Sequence, residues 1–167
     1  MRPRLVVVAP VVLDAVRWTG GWLFDLVMAG WEAHVLTAGD TDPRPLRILG
    51  ARALDLDADL TNSVRTPGPH TLAVDARLCE SDDRVLNLVL STLDSGVAEV
   101  RVWGDHRPST LGDGAGIPRR HRLSVAAKAF KAQALAAADA APSPGNDTEV
   151  FHGSRRPVRM GALVSVS

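Results

Sequence analysis

The stretch that decides the fold runs from Leu5-Val-Val-Val-Ala-Pro10, through Gly20-Gly21 and the apolar segment after it, to Trp31-Glu-Ala-His-Val-Leu-Thr37. Leu5 to Ala9 is a short, continuous apolar run, rich in valine and ended by proline, which is the pattern of a strand buried on both faces of a parallel sheet. Trp22, Leu23, Phe24, Leu26, Val27 and Met28 predict a helix that opens after the glycine pair and closes at Gly30 as its C-terminal cap. Trp31 to Thr37 then supplies a second strand. Strand, helix and strand together make a βαβ unit, whose crossover is right-handed and which places ligands at the C-terminal ends of the strands. The segment Pro10 to Thr19 reads as a loop at that edge.

The alternation continues outward from this unit. Asp42 to Gly50 reads as a short helix, Arg52 to Leu56 as a third strand, Thr61 to Pro69 as loop and Thr71 to Asp75 as the next strand. Val85, Leu86, Leu88, Val89 and Leu93 fall on a helical period within Asp82 to Leu93, and Val97 to Trp103 alternates into another strand. Arg107 to Arg122 has few hydrophobes among its glycines and prolines and reads as a surface loop, and Ser124 to Ala141 as an alanine-rich helix. These elements predict a Rossmann-like, doubly wound, mostly parallel sheet flanked by helices. A single α/β domain over 1–141 is followed by a C-terminal tail, 142–167, either packed on the domain or partly disordered.

Composition narrows the function classes. The chain has 167 residues, 46% hydrophobic and 23% charged, which is a globular balance, and its apolar runs fall well short of the roughly 20 residues that span a bilayer. Leu5 to Pro10 is also too short for a signal-peptide core, so a cytoplasmic protein is expected. The one cysteine, Cys79, cannot form an internal disulfide and reads as a small buried hydrophobe. Net charge is zero, yet residues 1–100 carry 9 Lys and Arg against 14 Asp and Glu, while residues 101–167 carry 10 against 5. The basic half, with Arg119, Arg120, Arg122 and Lys128 close together, is a candidate contact for an anionic partner. No nucleotide-cradling glycine motif and no nucleic-acid motif accompanies it, so a nucleic-acid partner is not expected.

The opening stretch, the tripeptide Ala29-Gly-Trp31 with Glu32 after it, and Val35-Leu-Thr37 resemble the LmbE-like (PIG-L) deacetylases of bacterial type. There the order is an apolar strand, A-H-P-D-D-E, a glycine pair, a helix, A-G-H-E-V and V-L-T. Val102-Trp103, the helix around Lys128 to Gln133, and Glu149-Val-Phe151 resemble later parts of the same family, so the likeness covers nearly the whole chain. The resemblance implies a zinc hydrolase fold, and residue by residue it also implies a lost metal site. Val11 stands at the position of the zinc-binding histidine, Leu13 at that of the general base and Ala15 at that of the glutamate, while Asp14 keeps the position of the zinc-binding aspartate. The family's later H-P-D-H-R stretch is matched by Glu80-Ser-Asp-Asp-Arg84, with Asp83 on the ligand position and Glu80 on the other histidine.

Valine cannot ligate zinc, and leucine cannot take a proton from metal-bound water. The expectation is therefore a pseudoenzyme: a catalytically degenerate, deacetylase-related protein with a small-molecule-binding or protein-interaction role, as a complex or homo-oligomer, and with no cofactor and no zinc. Its ligand would lie near Asp14, Glu80, Asp83, Arg84 and His106, of which Asp14 and His106 are also the candidate catalytic residues. The alternative is a hydrolase of an N-acyl or glycosyl substrate that holds Mg²⁺ or Ca²⁺ through Asp14, Glu80 and Asp83, since oxygen ligands suit those ions. A further alternative is a nucleotide-sugar or nucleic-acid binder that uses the basic half. Against any metal reading, carboxylates at a helix start are explained by capping and by the helix dipole, which covers Asp82 and Asp83.

Overall fold

Leu5 to Ala9 lie fully buried in β1 (Arg4–Ala9), as their apolar run predicts. The structure is a computed structural model that describes residues 2–39, 42–63, 71–96, 98–104, 116–142 and 147–154. After β1 the chain forms α1 (Val12–Met28), β2 (Glu32–Thr37), α2 (Arg44–Ile48), β3 (Arg52–Asp55), α3 (Leu56–Ser63) and β4 (Thr71–Asp75). There follow α4 (Ala76–Ser81), α5 (Asp83–Ser95), β5 (Glu99–Trp103), β6 (Ile117–Arg122), α6 (Val125–Ala137) and β7 (Thr148–Gly153).

The strands form one sheet in the order β3-β2-β1-β4-β5-β7-β6. Strands β1 to β5 are mutually parallel, with Val7 opposite Val35 on one side and Ala73 on the other. The last two are antiparallel additions, β7 against β5 and β6 against β7. Alternation along β1 sends Leu5, Val7 and Ala9 into a core with Val16, Leu23, Leu46 and Leu135. Val6 and Val8 enter a second core on the other face with Leu56, Leu72, Val85 and Val89. The protein is thus a single α/β domain, a mostly parallel mixed sheet flanked by helices, as the sequence predicts.

Three expectations need correction. The segment Pro10 to Thr19 is not a loop, because α1 already begins at Val12. Val12, Ala15, Val16 and Thr19 are buried at helical spacing, and Thr19 Oγ1 donates to the Ala15 carbonyl at 2.6 Å. Gly20 and Gly21 therefore lie inside the helix instead of before it. Gly21 is needed there for space: a Cβ at this position would stand 2.2 Å from the side chain of Leu123. The predicted C-terminal cap holds, with Gly30 at φ +100°.

The second correction concerns Arg107 to Arg122, whose end, Ile117 to Arg122, is not loop but the edge strand β6. Its two-residue alternation turns Ile117, Arg119 and His121 inward and Pro118, Arg120 and Arg122 outward, and an edge strand tolerates proline. Thirdly, α3 and α4 are short helices that no hydrophobic period announces; α4 is started by Asp75, whose side chain accepts the Arg77 amide at 2.8 Å. Within 142–167, residues Thr148 to Gly153 form β7, inserted between β5 and β6.

The buried group that ties this side together is Glu149 on β7. Its carboxylate accepts the Gly21 amide at 2.8 Å, the Trp22 amide at 2.6 Å and the Lys131 ammonium at 2.7 Å. The closing strand is thereby fastened to the middle of α1 and to α6 at once. Trp22 packs on Phe151 with ring centroids 4.8 Å apart, and the Arg101 guanidinium lies 4.6 Å over the Trp22 ring. The tryptophan-bearing face of α1 is in this part core packing.

Candidate functional site

The strand order reverses beside β1: the chain moves from β1 through α1 to β2 on one side, and returns from β3 through α3 to β4 on the other. In a doubly wound sheet this parting leaves a crevice beyond the C-terminal ends of the two strands. Here it is a cavity of about 240 Å³ lined by Asp14, Arg17, Trp18, Asp75, Ala76, Arg77, Trp103 and Gly104. A larger cleft, about 680 Å³, lies toward the opposite end of the sheet beside Trp31, His34, Arg47 and Arg52. The smaller one is the candidate site, because fold geometry directs ligands to it and it holds converging charges.

Each wall residue is set by the end of an element. Asp14 sits in the first turn of α1, where a negative charge meets the positive end of the helix. Asp75 ends β4, is buried and caps α4, which holds its carboxylate rigid. Arg77 reaches back from the first turn of α4. Its Nη2 donates to Asp14 Oδ2 and to Asp75 Oδ2, at 3.2 Å each. One guanidinium thus bridges the two carboxylates of the crevice.

The remaining wall supplies donors. Trp103 ends β5 and is only 2% exposed, and among the described residues its indole Nε1 has no hydrogen-bond partner. Arg17, one turn along α1 from Asp14, is exposed and makes no ion pair among the described residues. Gly104, at φ +130°, lets the chain turn off β5 against α4, where a Cβ would come within 3.2 Å of Ala76 Cβ.

The predicted site residues divide. Asp14 lines the crevice. Glu80 and Asp83 are exposed on α4 and α5, and Arg84 forms ion pairs with Asp82 at 2.9 Å and Asp57 at 2.8 Å. Asp82 caps α5 by accepting the Arg84 amide at 3.0 Å, and its hydrogen bonds from Arg84 hold its carboxyl below the ordinary value. Asp14, Glu80 and Asp83 do not come together: among the described residues no three His, Cys, Asp or Glu are grouped to hold a metal ion. His106 lies outside the described residues.

The basic run is also divided. Arg119 donates to the Ser154 carbonyl at 2.9 Å, Lys128 pairs with Asp147 at 3.4 Å, and Arg120 and Arg122 point outward from the edge strand. Cationic side chains on an edge strand discourage pairing with another sheet, which accounts for the outward pair. Cys79 is buried, and burial above all pushes its thiol up to about 12, so it is unreactive, as a buried hydrophobe should be.

Sequence reasoning missed Asp75, Arg77, Arg17 and Trp103 as a set. A usable signal was available: Asp75 closes a predicted strand next to the central one, and Arg77 follows at the spacing of a helix cap. Only the strand order, however, brings Arg77 to Asp14, 63 positions earlier.

No protein-family model matches the sequence, and no curated protein matches it. Solved structures do match. A crystal structure of the antimicrobial reagent A40926 pseudoaglycone deacetylase superposes with a TM-score of 0.62 at 17% identity, covering 95% of this chain and 100% of that one. The chain has the fold of a deacetylase. A deacetylase–teicoplanin complex from the biosynthesis pathway of teicoplanin gives 0.58 at 14% identity, covering 91% of this chain and 98% of the other. The conserved protein TT1542 from Thermus thermophilus gives 0.56 at 16%, covering 93% and 96%. Among the described residues no helix is long and apolar enough to cross a membrane.

Proposed function

We propose that this protein is a catalytically degenerate relative of the LmbE-like deacetylases that binds a small molecule in the crevice between β1 and β4 and has no zinc hydrolase activity. The observation that carries the reading is the position of Arg77, whose guanidinium bridges Asp14 and Asp75. Asp14 matches the family's zinc-binding aspartate, so the cation beside that carboxylate is a side chain. The other residues do not fit a metal either. Val11, at the histidine position, is an exposed valine at the N-cap of α1, and Leu13, at the base position, packs against the core. A catalytic zinc site needs three protein ligands and a group to receive the proton of its water.

A crystal structure of a teicoplanin deacetylase in a zinc-inhibited form is among the structural matches, at 14% identity and a TM-score of 0.54. Fold likeness at that identity carries no activity across. The reading is tested by supplying Zn²⁺, Mg²⁺, Mn²⁺ or Ca²⁺ to the protein with an N-acetylated amino sugar and measuring released acetate. No acetate above a protein-free control, with any ion, is expected. Turnover that depends on a metal and is lost in Asp14→Asn would overturn the reading.

A further inference from the structure

The cleft of about 680 Å³ lies beyond the N-terminal ends of β2 and β3, at the end of the sheet away from the crevice. Cations from three separate segments line it: Arg2 ahead of β1, Arg47 in the last turn of α2 and Arg52 at the start of β3. All three are exposed, and none makes an ion pair among the described residues. The gathering is selective. Residues 1–100 carry 9 Lys and Arg against 14 Asp and Glu, yet among the described residues the cleft takes three of those arginines and one carboxylate, Glu32. Strand register sets His34, also in the lining, beside Arg52. Burial first, then the charges of Arg4 and Arg52, hold its imidazole below the usual 6.5 against the opposing pull of Glu32. Like charges drawn together oppose folding, and a cleft lined by one sign of charge concentrates the opposite sign.

We infer that this cleft is a second ligand site, which binds a small phosphate monoester. The guanidinium groups of Arg2, Arg47 and Arg52 hold the dianionic group, and its organic part lies against the apolar wall of Val27, Trp31 and Pro43. Guanidinium forks match phosphate oxygens two at a time. A phosphate monoester brings nearly two negative charges on one compact group, which suits three cations beside a single carboxylate better than a monoanion does. The size fits as well, since small-molecule sites span roughly 300–1,000 Å³. The end of α1, which also borders the cleft, sets no row of open acceptors against an anion: the carbonyls of Asp25, Leu26 and Val27 are taken by the amides of Ala29, Trp31 and Gly30.

The test is calorimetric titration of the whole chain at about pH 7.5, where a phosphate monoester is close to dianionic. Phenyl phosphate is the probe, compared with phenyl sulfate, a monoanion of the same shape, and with inorganic phosphate, which lacks the ring. Phenyl phosphate is expected to bind more tightly than either. Arg47→Gln and Arg52→Gln change exposed side chains, so both variants should fold, as circular dichroism would report, and each should weaken phenyl phosphate binding roughly tenfold. No binding, equal affinity for phenyl sulfate, or unaltered affinity in both variants would overturn the inference. Weakening confined to Arg17→Gln would overturn it too, by placing the anion in the crevice. None of these results bears on the metal-free reading of the crevice, which is tested separately by released acetate.

Discussion

Asp25, near the end of α1, joins that helix to the β6–α6 junction. Its carboxylate lies 2.7 Å from His121 Nε2 and accepts the Ser124 amide at 3.2 Å, while the Ser124 hydroxyl caps α6 at the Ala127 amide, 3.0 Å away. Burial works to raise the Asp25 carboxyl, but the hydrogen bonds from Ser124 and His121 outweigh it and hold the group below its usual 3.8. A depressed carboxyl contributes stability that is present above the unfolded-state value and is lost as pH falls through the folded one. Asp25→Asn should therefore cost about 1.5–3 kcal/mol near neutrality. In urea melts the gap to the parent should narrow below about pH 4, where the unfolded carboxyl also takes up its proton. The buried pair of Lys131 and Glu149 makes a stronger prediction. Burial raises the Glu149 carboxyl against the pull of the ammonium and of two amides. Removing the ammonium with Lys131→Met leaves the carboxyl buried without its cation and should cost about 3–5 kcal/mol in a urea melt at pH 7.

At the scale of elements, α1 shows both how much could be read in advance and what could not. Its apolar second half and its cap at Gly30 are plain in the sequence, and its first half carries the same spacing in Val12, Ala15, Val16 and Thr19. The glycine pair hides that continuity, since glycine inside a helix costs about 1 kcal/mol relative to alanine and normally marks an end. Here the reason is tertiary. Leu123, about a hundred positions later, occupies the space a Gly21 side chain would need, and Glu149 takes the amides of Gly21 and Trp22. The two glycines should differ accordingly. Gly20→Ala, whose Cβ would meet its neighbours at 3.3 to 3.6 Å, should be neutral or slightly stabilising, whereas Gly21→Ala should lose about 1–3 kcal/mol in thermal melts. The strands β1 and β4 were legible because burial on both faces writes short apolar runs, and β5 because its residues alternate as a strand does. β6 was not, because an edge strand of alternating arginines and a proline carries almost no apolar signal.

For the whole molecule, the order β3-β2-β1-β4-β5 sets the crevice, and the crevice sets the chemistry open to the chain. Asp14 was legible as a candidate only through the family resemblance of the stretch after the first strand; its partner Arg77 was not, because two residues 63 positions apart meet only through the crossover that lays β4 against β1. In the proposed reading the Arg77 guanidinium, beside Asp14, stands in place of a metal ion. Metal analysis of protein purified without added metal or chelator tests this most directly. Zinc and other divalent ions far below one per chain are predicted in the protein as isolated; one tightly held zinc per chain, lost in Asp14→Asn, would contradict that reading.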